Sequence, residues 1–158
     1  MLRHLGVVAA LSMMVASCAA APERTRHDLG AFWIDAPASW SLTSGGMDSA
    51  AGHFTGERLR LDYDFGLYSD PLRLPQGATD VGERSVTVDG LPGRQVRYTL
   101  QRGAAEPMHY LGVHVPAVRA TSMGRLKLTV LAVSADVEQI RQAEAVMATI
   151  RFKPVTPP

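Results

Sequence analysis

The chain has 158 residues, 46% of them hydrophobic, with 16 Lys and Arg against 15 Asp and Glu for a formal charge of +1. So small a net charge, with aromatics at 6%, provides neither a basic patch nor stacking platforms, so nucleic acid is not expected as a partner. Cys18 is the only cysteine, which excludes an internal disulfide; the length suits one domain held by an apolar core.

The chain opens with "MLRHLGVVAALSMMVASCAA". Arg3 and His4 precede an apolar run from Leu5 to Ala16 that would span only about 18 Å as a helix, short of a hydrocarbon core of roughly 30 Å. A basic start, a short apolar stretch and small residues before a cysteine form the plan of an export signal. Val15, Ala16, Ser17 and Cys18 resemble a bacterial lipobox, which implies a diacylglyceryl group on the Cys18 sulfur and cleavage before it. Acyl chains then hold the protein on a membrane. Ala19, with no Asp after the cysteine, resembles the pattern of outer-membrane destination, facing the periplasm. Arg3 leaves with the leader, so the exported part is neutral. The expected division is leader 1–17, lipidated N-terminus and tether 18–29, one domain over 30–153 and a proline-rich tail 154–158. Within the tether, Arg24, Arg26 and His27 offer only a weak headgroup contact, since Glu23 and Asp28 offset them.

The domain is expected to begin at "GAFWIDAPASWSL", where Phe32, Trp33 and Ile34 supply strand-forming bulk, Pro37 interrupts, and Trp33 and Trp40 serve as packing anchors. "TSGGMDSAAG" reads as a flexible connection. In "GERLRLDYDFGLYSDPL", a strand over 57–65 puts Leu59, Leu61, Tyr63 and Phe65 on one face and Arg58, Arg60, Asp62 and Asp64 on the other. Gly66, Tyr68, Asp70 and Pro71 then form a turn in which the aspartate bonds its own backbone. "ERSVTV" and "RQVRYTL" flank Asp89 and Gly90 as a hairpin. "MHYLGVHV" and "LKLTVLAV" are two more strands, the second apolar enough for a central strand covered on both faces. Finally Val137, Ile140, Ala143, Met147 and Ile150 recur with helical spacing behind Asp136, an N-cap with Gln139 placed for a capping box. Strands followed by one helix imply an α+β fold, a twisted antiparallel sheet with packed helices including a C-terminal amphipathic helix.

Phe32, Ile34, Pro37 and Trp40 near the start, and Thr149, Ile150 and Phe152 at the end, resemble the PsbP-like family and its exported bacterial lipoprotein relatives. The resemblance covers residues 30 to 153 through short motifs and implies a twisted antiparallel sheet with helices on its faces. The chain departs from the family in having little helical pattern before residue 57. Membership of such a family selects no single activity.

The candidate ligand or partner surface is Arg58, Arg60, Asp62, Asp64, Tyr68 and Asp70. Opposite charges alternating along one strand face are explained by cross-strand pairing alone. Asp62, Asp64 and Asp70 supply oxygen ligands, but counting from Asp62 puts Leu67 and Arg73 where a helix-loop-helix calcium site needs Gly and Glu, so calcium is not expected. His53, His109 and His114 are scattered, and the last two point to opposite faces of a strand, which argues against zinc. Ser49 and His53 with Asp48 lack a nucleophile elbow, and Asp62 with Asp64 as a glycosidase pair would be held ionised by Arg58 and Arg60. No catalytic, cofactor or metal residues are therefore assigned. The leading reading is a lipid-anchored accessory or protein-interaction module of the cell envelope without catalytic activity. The alternatives are a periplasmic domain binding a small ligand or cation on the polar face of 58–70, and a hydrolase. Metabolic labelling with a fatty acid is expected to mark the wild type and not Cys18→Ser; equal labelling of both would remove the lipid assignment.

Overall fold

The computed structural model describes residues 23–45 and 49–154; Cys18, the leader, Asp48 and residues 155–158 lie outside them. The strands are β1 (Arg24–Asp28), β2 (Phe32–Pro37), β3 (Ser41–Gly45), β4 (Ala50–Thr55), β5 (Leu59–Gly66), β6 (Thr79–Val88), β7 (Leu91–Leu100), β8 (Met108–Thr121), β9 (Gly124–Ser134) and β10 (Arg151–Phe152), with helix α1 (Val137–Met147) between the last two. A seven-stranded sheet runs β3-β4-β5-β9-β8-β7-β6, and a three-stranded sheet runs β1-β2-β10. Every pairing is antiparallel. The fold is thus α+β, with a large antiparallel sheet and one C-terminal helix. That helix is too short to cross a membrane, and no other among the described residues is long and apolar enough to do so.

The alternation in β5 works as its pattern dictates: Leu59, Leu61, Tyr63 and Phe65 are buried, while Arg60, Asp62 and Asp64 face the other way. Phe32 of β2 lies edge-on to Tyr63 with ring centroids 5.9 Å apart and 6.2 Å from Phe65, joining the small sheet to the large one. Leu111, Val113 and Val115 of β8 and Leu128, Val130 and Ala132 of β9 extend this core, which Ala143, Val146, Met147 and Ile150 close from the helix side. β9 lies in the middle of the sheet, as its apolar run suggested.

Local signals set the turns and the cap. Asp89 and Gly90 carry φ of 48° and 81° between β6 and β7, both positive, as a two-residue turn matched to strand twist requires. Asp136 accepts from the Glu138 N–H at 2.8 Å. The capping box with Gln139 does not form: the Asp136 N–H is satisfied by Ser134 Oγ at 2.9 Å, because β9 delivers that hydroxyl directly to the helix start.

Further expectations change. Arg24–Asp28, assigned to the tether, is a strand along β2, and Arg26 forms a two-pronged contact with Asp35 at 2.8 and 3.1 Å, an ion-paired arrangement that holds the Asp35 carboxyl below the ordinary carboxylate range. "TSGGMDSAAG" contains the end of β3 and the start of β4, which pair in register from Ser41–Thr55 to Gly45–Ala51; small residues suit it because a Cβ on Gly52 would strike the Tyr63 ring that lies over it. Trp33 is half-buried on the outside of β2, under Lys153 at 5.4 Å, because the inward positions belong to Phe32 and Ile34. Val137 is 46% exposed although it falls on the apolar face of the helix period, and Val146 takes a core place instead.

Trp40 is an anchor: 7% exposed, it packs near Phe54 and against Gly56, where a Cβ would come within 2.8 Å of its Nε1. Trp40→Ala is expected to cost about 3–5 kcal/mol in denaturant melts through lost transfer energy and the cavity left behind. A loss under about 1 kcal/mol would show that the neighbours collapse into the space.

Candidate functional site

β5 and β6 are consecutive in the chain but four places apart in the sheet, so residues 67–78 must cross β9, β8 and β7. Four strand spacings are about 19 Å, and twelve extended residues reach about 40 Å, so the connection has slack to fold along the sheet. It crosses the face opposite the helix. Leu72, at φ 58° and 8% exposed, sits over Gly112 of β8, where any Cβ would lie 2.7 Å from Leu72 Cδ1. Gly112 is the hole into which this crossover plugs. Arg94 of β7 donates to the carbonyls of Pro71 and Leu72, the latter at 2.8 Å, and is itself paired with Glu83 at 3.2 Å.

Beneath the crossover lies a buried polar chain. Thr129 Oγ1 donates to the Asp70 carbonyl at 2.5 Å, and Ser69 Oγ is 2.7 Å from Thr129 Oγ1 and 3.0 Å from the Asp64 carbonyl. His114 Nδ1 is 2.9 Å from the same threonine oxygen. A hydroxyl has one proton, and with Thr129 giving it to Asp70, the threonine can only accept from Ser69 and His114. His114 therefore carries its proton on Nδ1. Burial above all, with the nearby charges of Lys127 and Arg94, pushes the His114 imidazole below its ordinary range and keeps it neutral.

This scaffold fixes the residues singled out from sequence, but it does not gather them into one centre. Asp62, Asp64 and Asp70 line an open hollow of about 310 Å³ beside the crossover, with Leu72, Arg73, Tyr98 and Thr129 around it. Arg60 turns along its own strand to Asp62, Nε to Oδ1 at 2.8 Å. Arg58 points elsewhere and approaches Glu106 at 3.8 Å. Asp70 Oδ1 accepts from the Leu72 N–H at 2.8 Å, the expected local turn bond, while Gly66 is a buried strand residue with no positive φ. Asp64 has no side-chain ion pair among the described residues. Tyr68 stands 95% exposed between buried Ser69 and half-buried Leu67. His53 faces Asp62 across β4 and β5. Among the described residues no three His, Cys, Asp or Glu are placed to hold a metal ion.

His109 and His114 are on opposite faces, as their spacing requires. His109 lies on the helix side, where Nδ1 is 3.1 Å from Thr99 Oγ1. There a larger cleft of about 590 Å³ opens between α1 and strands β6 to β8, lined by Arg84, Arg97, His109, Val137, Ile140 and Glu144 among others. Sequence reasoning missed it, because it joins residues from four elements and carries no local motif. The buried Ser69–Thr129–His114 chain had one faint signal, the lone threonine in "LKLTVLAV".

No family model matches the sequence, and no curated protein matches it significantly.

The state of His114 has a measurable consequence. The unfolded chain takes up its proton near pH 6.5, whereas the folded protein resists it, so stability from this residue is present above about pH 6.5 and is lost as pH falls below it. The depressed carboxylates Asp28 and Asp35 act only at lower pH, below their ordinary value of about 3.8. Between pH 7.5 and 5 the melting temperature of the wild type is expected to fall more than that of His114→Asn, whose amide can still donate to Thr129. Parallel curves would remove His114 as the source.

Proposed function

We propose that the protein is a lipid-anchored, non-catalytic accessory module of the bacterial cell envelope, held on the periplasmic face of the outer membrane through Cys18, and that it engages another envelope protein through the surface of residues 58–70. One observation carries this reading. Tyr68 is held out in water two residues beyond the end of β5, by a segment that is fastened to the sheet again directly after it through Ser69 and Leu72. An aromatic ring presented by an ordered backbone has already lost chain entropy without gaining burial, and such rings are the usual anchors of protein interfaces.

The neighbouring chemistry supports a partner with a basic rim around an apolar recess. Asp64 and Asp70 flank the tyrosine in sequence and line the adjoining hollow. Arg60 is taken up by Asp62, so Asp64 and Asp70 stay open to basic groups of a partner, with Arg73 beside them in the hollow. Kinship with the PsbP-like family belongs to the same proposal. The antiparallel sheet, the terminal helix and the burial of Phe32, Ile34, Pro37, Trp40 and Ile150 agree with that family's expected plan. A cation in the hollow is the competing reading, favoured by its three carboxylates, but Arg60 occupies Asp62 and Asp70 caps the Leu72 amide.

The test is affinity purification of the acylated protein from its native envelope, with mass identification of what accompanies it, comparing the wild type with Tyr68→Ala/Asp64→Asn. A specific protein is expected with the wild type and should be reduced at least about tenfold in the double variant, since loss of one interface anchor typically costs about 2 kcal/mol or more. Unchanged melting of the variant would confirm that the surface alone was altered. Identical recovery from both proteins would overturn the assignment of this surface.

A further inference from the structure

The cleft on the helix side has no part in that surface, and its chemistry is different. We propose that the cleft between α1 and strands β6 to β8 is a binding site for a small organic carboxylate with an apolar body. Its volume of about 590 Å³ falls within the range of small-molecule sites. β6 and β7 line it with polar side chains, and α1 adds the apolar Val137 and Ile140 beside Arg141 and Glu144.

The sheet side supplies one uncommitted cation. Arg84 is paired with Glu144 at 2.6 Å and also donates to Gln95, and Arg141 is paired with Glu138 at 2.8 Å. Arg97 has neither an ion pair nor a side-chain hydrogen bond among the described residues. Its side chain lies across Gly82, where a Cβ would be 3.1 Å from Nε, so the glycine of β6 leaves it room along the cleft floor. Beside it the Thr99–His109 bond fixes an imidazole whose Nε2 has no hydrogen-bond partner among the described residues. A guanidinium and an imidazole nitrogen offer a carboxylate a charged fork and a further polar contact.

The helix side supplies the apolar wall. Val137 belongs to the apolar face of α1 yet is 46% exposed, and Ile140 and Leu111 continue the lining. These side chains have nothing opposite them because β6 and β7 turn Gly82, Arg84, Gln95, Arg97 and Thr99 toward the helix rather than bulky apolar residues. The remaining charges set the ligand's valence. Asp80, at φ 51° in an irregular stretch of β6, lines the cleft together with Glu144; Glu144 is paired with Arg84, and among the described residues the Asp80 carboxylate accepts a side-chain bond only from Thr79 Oγ1, at 3.5 Å. Carboxylates on the rim repel a doubly charged phosphate more than a monoanion. One open cation, an apolar wall and an acidic rim therefore select a monocarboxylate.

The experiment titrates the full chain, labelled with ¹⁵N, with 3-phenylpropionate, 3-phenylpropanol and inorganic phosphate. The carboxylate is expected to shift amide resonances of α1 and β7 saturably, with the alcohol and phosphate each at least about tenfold weaker. Arg97→Gln, and independently Val137→Glu, which places a negative charge on the exposed wall, should each weaken the carboxylate at least about tenfold. Asp64→Asn on the opposite face should leave the affinity unchanged. Absence of saturable shifts at the cleft, equal binding of the alcohol or of phosphate, or wild-type affinity in either cleft variant would overturn the proposal.

Discussion

The placing of β5 beside β9, with three strands between it and β6, forces the connection between β5 and β6 to cross the centre of the sheet, and much of the molecule follows from that crossing. The helix and the small sheet already cover one face. The crossover covers the other, so β8 and β9 are buried on both sides at their middles. Leu72 can reach the sheet only because Gly112 has no side chain, and the crossover's carbonyls can be buried only because Thr129 and Arg94 meet them. A threonine and a histidine in otherwise apolar strands thus serve as internal fasteners.

The same crossing separates two surfaces of different character. On the outer face it holds Tyr68, Asp64 and Asp70 against a rigid background and leaves the tyrosine ring in water. On the helix face the sheet outruns its cover. α1 packs over β8, β9, β2 and β5, so the end formed by β6 and β7 faces an open cleft. Of the polar inward residues of β7, Arg97 and Thr99 belong to this uncovered end, while Gln95 is buried under Glu144 of α1. The same strand turns Val96 outward, where it is buried on the crossover's side. Inside and outside are therefore exchanged along β7 relative to β5.

His109 and His114 follow from this division. Five residues apart on β8, they face different environments: one is bonded to Thr99 at the cleft, the other is buried under the crossover and kept neutral by burial and nearby cations. Neither joins Asp62, Asp64 and Asp70 in a shared centre. A constellation of chemistry-bearing residues close in sequence becomes a display surface, while the larger cavity forms from residues that the sequence keeps apart.

Where an outcome depended on neighbours within a few positions, the sequence by itself determined it. The period of two in residues 59–65 placed Leu59 and Leu61 inward and Arg60 and Asp62 outward; Asp89 and Gly90 made a turn because both can take positive φ; and Asp136 capped a helix whose period was visible. Tertiary structure decided strand order, the pairing of Arg24–Asp28 with β2, the turning of Arg58 to Glu106, the exposure of Val137 and the meeting of Arg97 with α1 across a cleft. The physical reason is range. Backbone dihedrals and side-chain alternation are set by steric contacts along a few residues, whereas ion pairs, buried hydroxyl chains and cavities depend on which distant strands lie side by side, and that choice is made by burying the apolar faces of the whole chain at once.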